Sequence, residues 1–372
     1  MTLPTPAVGA RCFVVASVLA IPMALWAQVA PPLPPTDWTR ANAAVAEFPR
    51  GHVDVLKWEA QNQPAERSQA AVAAVAGHIS LMSPEEAVRQ AWLAHRSLAR
   101  TLNKIGAAQA TLVAQGRWTE VAPSLQRRVE GVDELLDVAT QGRKAWVQAV
   151  AARQVLAQHR TALEAAEAAN ELGRRMVSVG NWSRLQQTQV QLAQSSARMA
   201  LRRAQYAAAQ AEAALLKVLN LTTQHAALNL PDRLPDLPAQ PLSPQVLAER
   251  ASAIAGQLPR VDGARNAANA RLAQQAYLIS HALALSARDE VVKTRELITE
   301  ETVLHYNGML KSVWDLLGEV GNQSLAVVSA VDALRDFWLA EADLQWTLQG
   351  GAPSGFVVLG SASGEPTANP PH

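Results

Sequence analysis

Between Leu125 and Ser178 apolar side chains recur every seven residues, at Ala149, Leu156, Leu163 and Val177, with Asn170 interrupting the series. Beyond a short polar turn the spacing resumes on Leu185, Leu192, Met199, Tyr206 and Ala213, with Ala197, Ala204, Ala211 and Val218 beside it. A seven-residue repeat keeps one face of a helix against a partner helix, so the two segments predict an antiparallel coiled-coil hairpin. Its first arm, from Leu125 to Ser178, would be about 80 Å long at 1.5 Å per residue. The same pattern then begins again. A helix is expected from about Arg260 to His305, and after a second turn Val313, Val320, Val327 and Leu334 keep the spacing to an end near Gly350.

Both halves open alike. Ser83-Pro84-Glu85-Glu86 and Ser243-Pro244 each place a capping hydroxyl before a proline, whose missing N–H is not needed in a first helical turn. Glu86 is expected to reach back to the cap amide, and the helix it opens to run to Gln115, where Gly116 and Trp118–Ser124 break the pattern. Between the halves Pro231, Pro235, Pro238, Pro241 and Pro244 forbid a continuous helix and mark a linker. The chain thus divides into a signal peptide (1–27), an extended or partly helical arm (28–82), a first hairpin repeat (83–221), a Pro-rich linker (222–242), a second hairpin repeat (243–350) and a flexible tail (351–372). The expected fold is all-α, two pseudo-repeated long antiparallel coiled-coil hairpins with little or no β-structure. Only Trp118–Ala122 and Phe356–Leu359 read as short strands.

Composition agrees with helices. Hydrophobic residues make up 49% of the chain and aromatics only 5%, and alanine and leucine dominate the apolar set. A formal charge of +1 gives no electrostatic case for nucleic acid. The run Phe13 to Trp26 is apolar apart from Ser17 and is too short to span a bilayer; with Arg11 before it and Ala27 after it, it reads as a secretory signal. The one cysteine, Cys12, precedes that run, so cleavage would leave a chain without disulfides or cysteine-based metal sites.

Catalytic chemistry has no foothold in this pattern. The eight histidines form no HxxxH or HExxH pair, and no metal or cofactor site is expected. Glu130, Asp133, Glu134 and Asp137 form an acidic stripe that reads as a solvated helix face. The candidate site is instead the pair of turns. Val179-Gly180-Asn181-Trp182-Ser183-Arg184-Leu185 and Tyr306-Asn307-Gly308-Met309-Leu310-Lys311-Ser312-Val313 each carry a glycine suited to the φ > 0 of a sharp helix reversal. Arg174, Arg175 and Arg184 flank the first, and Glu300, Glu301 and Asp315 the second.

The two-fold repeat, the Ser83-Pro84-Glu85-Glu86-Ala87 start, the first tip and the segment Ile298 to Leu310, followed by Ala333-Leu334-Arg335-Asp336-Phe337-Trp338-Leu339-Ala340, resemble the TolC-type outer membrane efflux proteins. They are most similar to a branch often encoded beside copper-handling oxidases. The resemblance implies a homotrimer whose helices form a periplasmic tunnel, a β-barrel in the outer membrane, a periplasmic adaptor as partner and metal ions as cargo. Carried over by position, the adaptor-docking residues would be Gly180, Asn181, Trp182, Ser183, Arg184 and Leu185, with Tyr306, Asn307, Gly308, Met309, Leu310 and Val313. One feature departs from the family. Neither interval from Ser-Pro start to tip holds an alternating run long enough for a membrane strand of about ten residues. Two functions therefore stand open for a protein exported to the outer membrane or periplasm: a tunnel-forming efflux component, or a soluble helical interaction module without channel activity.

Overall fold

Ser83 caps the first helix, its Oγ accepting the Glu86 amide at 3.2 Å, and Pro84 opens α1 (Pro84–Ala94). The Glu86 carboxylate misses the cap amide and takes the Met82 N–H, one residue earlier, at 2.6 Å. The computed structural model describes residues 79–221, 228–353 and 355–359. The expected signal peptide, the arm up to residue 78, Cys12 and the end of the tail lie outside the described residues.

The single helix expected from Ser83 to Gln115 is three helices, α1, α2 (Ala99–Ile105) and α3 (Ala107–Ala114). His95 leaves helical geometry at φ −101°, ψ 85°, and Gly106 takes φ 80°, so the backbone turns twice where continuous helix was expected. The next helix is broken in the same way. One turn, α4 (Leu125–Arg128), precedes Gly131 at φ 81°, and α5 (Val132–Ser178) then runs unbroken for 47 residues. Helix α6 (Arg184–Val218) returns alongside it. The second half contains α7 (Pro244–Ala255), α8 (Arg260–Ser286), a π-helical segment (Ala287–Val292), α9 (Lys293–Asn307) and α10 (Val313–Thr347).

Helices α5 and α10 pack against each other at the centre, with α6 outside α5 and the α8–α9 run outside α10. The core lies towards the end opposite the tips. There Leu81, Val88, Trp92, Leu135, Trp146 and Leu215 form one buried cluster, and Tyr277, Phe337, Leu344 and Leu348 a second. Buried indoles keep their N–H groups satisfied: Trp92 donates to the Leu135 carbonyl at 3.1 Å and Trp146 to that of Leu81 at 2.8 Å. Full burial of a side chain such as Leu135 contributes roughly 2 kcal/mol.

Among the described residues the β-structure is one pair of two-residue strands, β1 (Ile79–Ser80) and β2 (Leu228–Asn229), running parallel. Neither expected strand forms. Trp118–Glu120 is a 3-10 turn, closed by the Arg117–Glu120 ion pair and by the Trp118 indole donating to the Val113 carbonyl. Phe356–Leu359 is irregular, with Val357 packed on the main cluster. The Pro-rich connection is more than a tether, because its leucines enter the core: Leu228, Leu230, Leu234 and Leu237 are buried. Side chains of the helices hold its backbone. Trp338 donates to the Pro235 carbonyl at 3.1 Å, the Tyr277 hydroxyl accepts the Leu242 N–H at 3.1 Å, and a His281 ring nitrogen lies 2.9 Å from the Pro238 carbonyl.

Candidate docking site at the hairpin tips

Helix α5 ends in a paired hydrogen-bond motif around a left-handed residue. The Asn181 N–H reaches the Met176 carbonyl at 2.9 Å and the Gly180 N–H that of Val177 at 3.0 Å, with Gly180 at φ 80°. Ser183 then caps α6, accepting the Gln186 amide while the Gln186 side chain accepts the Ser183 N–H at 3.0 Å. The second tip repeats these bonds. Leu310 N–H reaches the His305 carbonyl at 2.8 Å, Met309 N–H that of Tyr306 at 3.0 Å, and Ser312 forms the same reciprocal box with Asp315.

The glycine is not where the sequence pattern put it. Gly308 sits at φ −79°, a conformation open to any residue, and Met309 takes the left-handed position at φ 58°. Gly180 therefore corresponds structurally to Met309, and Ser183 to Ser312. A methionine in that conformation carries a backbone cost of about 1 kcal/mol that a glycine would avoid.

The structure brings the two tips together through a residue that sequence reasoning missed. Trp182 stacks on Trp314, the second residue of α10, with ring centroids 4.1 Å apart, and the Trp314 indole donates to the Ala169 carbonyl of α5 at 3.4 Å. The Trp182 ring rests on Gly173, where a Cβ would lie 3.1 Å from both Trp182 and Val190. A detectable signal existed: each tryptophan lies within two residues of a capping serine, which puts both at one level of the hairpins.

The remaining candidates divide by exposure. Gly180, Asn181, Ser183, Arg184, Tyr306, Asn307 and Gly308 are solvent-exposed, whereas Trp182 and Val313 are half-buried. Leu185, Met309 and Leu310 expose large apolar surfaces, Met309 being 94% accessible. Arg174 and Arg175 both pair with Glu171 on their own helix. Hydrogen bonding by the Ser312 hydroxyl and amide holds the Asp315 carboxyl below its usual range.

The helix seam also differs from expectation. Leu185, Leu192, Met199 and Tyr206, read as inward-facing, are exposed, while Ala204 and Ala208 are buried. Alanine lets α6 approach α5 closely, so the narrower series takes the seam and the bulky one is left on the outer edge. Asn170, the interruption in the α5 series, is buried in that seam and donates to Gln194 of α6 at 2.8 Å. A polar pair at such a position fixes the axial register of two helices. On the opposite edge, α8 and α9 expose Leu272, Ile279, Leu283, Leu297 and Leu304.

Among the described residues no group of three His, Cys, Asp or Glu side chains is placed to hold a metal ion, and no helix is long and apolar enough to cross a membrane. The fold is all-α, with two long antiparallel hairpins joined at their tips by an aromatic pair. No known family model matches the chain, and no curated protein sequence does. Solved structures do resemble it. The Campylobacter jejuni CmeC outer membrane channel is 12% identical, with 66% of this chain and 68% of that chain covered, at a TM-score of 0.45. CusC is 13% identical, with 72% and 92% covered, at 0.41, and the outer-membrane channel OprN is 11% identical, with 66% and 72% covered, at 0.44.

Proposed function

We propose that this chain is a TolC-like efflux component that builds the helical wall of a periplasmic tunnel and docks a periplasmic adaptor through its joined tips. The observation carrying this reading is the placement of exposed apolar residues. They run at seven-residue spacing along α6 from Leu185, recur along α8 and α9 on the opposite edge, and include Met309 and Leu310 at the second tip. Large apolar side chains left exposed in rows favour burial against further protein. Two unlike edges on one chain suit head-to-tail contacts, and such contacts close into a ring when the rotation between copies allows it. The trimer and the adaptor follow from the family resemblance, and metal ions as cargo rest on the resemblance alone.

A second reading, a soluble periplasmic interaction module, is favoured by the ends of the repeats away from the tips. The interval between α1 and α5 is filled by short helices and 3-10 turns, and α7 passes to α8 through four residues, Gly256 to Pro259. Neither described interval contributes a strand of membrane-crossing length.

Carbonate extraction of the exported protein, followed by crosslinking, separates the two. Retention in the outer membrane fraction as a trimer is expected from the first reading. Complete recovery as a soluble monomer would overturn it in favour of the second.

A further inference from the structure

We propose that Glu341 holds a proton in the folded chain and shares it with Gln345, which makes the seam between the two repeats at the base sensitive to pH. The seam is where α5 of the first repeat meets α10 of the second, and it is charged on both sides. Lys144 of α5 pairs with Asp343 of α10, and Arg143 of α5 lies beside Glu341. The two pairs are not alike. Lys144 and Asp343 are in direct hydrogen-bond contact, and the Asp343 carboxylate also accepts the Val357 N–H. Arg143 and Glu341 are held 3.6 Å apart, beyond hydrogen-bond length, although their side chains are only 10% and 11% exposed.

Arg143 is seated on its own repeat. Its guanidinium rests against Gly116, where a Cβ would lie 2.1 Å from Nη1, and Nη1 has no hydrogen-bond partner among the described residues. Glu341 is left with one bond, its Oε1 accepting from the Gln345 amide nitrogen at 3.2 Å, one turn along the same helix. The other oxygen, Oε2, has no hydrogen-bond partner among the described residues, and neither has the Gln345 carbonyl oxygen. Both orphans are acceptors, so they cannot bond each other. One proton on Oε2 resolves both, because a carboxylic acid and a primary amide exchange two hydrogen bonds: the acid O–H donates to Gln345 Oε1 while Gln345 Nε2 continues to donate to Glu341 Oε1. A buried acceptor left without a donor is costly, and an ionised one more so.

The electrostatics agree with this geometry. Burial pushes the Glu341 carboxyl above its usual range, against the smaller opposing pull of Arg143 and of the Gln345 bond. The other charged and titratable groups of the elements packed here have bonds of their own. Arg250 of α7 donates to the Trp118 and Val121 carbonyls, the Tyr277 hydroxyl of α8 accepts the Leu242 N–H, a His281 ring nitrogen meets the Pro238 carbonyl, and Arg117 and Glu120 pair with each other. Because the folded chain binds this proton more tightly than the unfolded one, the stabilisation is whole below the ordinary 4.5 and is lost as pH rises towards the folded value. Acid thus tightens the seam and alkali loosens it. Such a seam would serve a tunnel wall and a soluble module equally.

The test is infrared spectroscopy of the full-length protein, its glutamate carboxyls labelled with carbon-13, at pH 6. A protonated-carboxyl C=O band is expected in the native chain and in Asp343→Asn, and its loss in Glu341→Gln, whose amide keeps the pair with Gln345. An ionised Glu341 bonded to a buried water would give no such band. Its absence from the native chain therefore overturns the proposal even if the variant fails to fold. The second readout is amide exchange, corrected for its intrinsic pH dependence. Across 139–147 and 337–347, opening at pH 8 should be at least threefold more frequent than at pH 5 in the native chain, and equal at the two pH values in Glu341→Gln. A rise of the same size in that variant would overturn the switch while leaving the proposed function untouched.

Discussion

The two tips make the same hydrogen bonds with different residues. Both end a helix in a left-handed residue and restart one from a serine box, but the first uses Gly180 and Gln186 where the second uses Met309 and Asp315. The first tip therefore turns without backbone strain and its capping box holds no carboxyl group, whereas the second has both the strain and the carboxyl group. The second also presents the more protruding apolar surface, Met309 and Leu310, against Val179 and Leu185 on the first. A strained and exposed methionine costs the free chain stability. That arrangement is understandable if the side chain is held outward for a partner, and a glycine at 309 would remove the strain and the contact together.

Removing the link between the tips should have the largest effect. Trp314→Ala takes away an aromatic pair and an indole hydrogen bond, and should lower local stability at both tips by about 2 kcal/mol. Amide exchange resolved by segment is the measurement; acceleration confined to the second tip would mean that the stack does not couple them. Next come mirror-image changes at the equivalent positions. Gly180→Ala should destabilise the first tip by about 1 kcal/mol, since its Cβ meets nothing within 4 Å and only backbone strain opposes it. Met309→Gly should stabilise the second by up to about 1 kcal/mol while weakening crosslinking to the proposed adaptor. If both substitutions destabilise, the proposed equivalence of 180 and 309 is wrong.

The smallest effect concerns pH. Asp315 titrates below its ordinary 3.8 in the folded chain because it accepts hydrogen bonds from Ser312. Its contribution is present above the unfolded value and is lost as pH falls through the lower folded one. Acidification below 3.8 should therefore loosen the second tip and leave the Gln186 box of the first unchanged. Asp315→Asn should abolish that difference; equal loosening of both tips would show that another group governs it.

Much of the architecture was legible because it depends on local chemistry. The capping serines 83, 183, 243 and 312 announce helix starts through contacts that span three residues. A seven-residue spacing likewise marks long helices whatever they pack against. It does not say which of two adjacent series faces the partner, and α6 buried the alanines at 204 and 208 instead of the leucines. Matching the tips glycine to glycine shifted their register by one residue, because Gly308 advertises a conformation that Met309 adopts. The matching serines, whose hydroxyls make the caps, carried the correct alignment.

The sequence by itself determined the long helical hairpins and the serine starts at Ser83 and Ser243, since each follows from interactions within a few residues along the chain. Only the tertiary structure decided that Trp182 and Trp314 meet, that the proline-rich connection is part of the core, and that the bulky series on α6 faces outward. Those outcomes depend on which surfaces approach across more than a hundred residues of sequence, as from Trp338 to Pro235, and on how close an alanine seam lets two helices come.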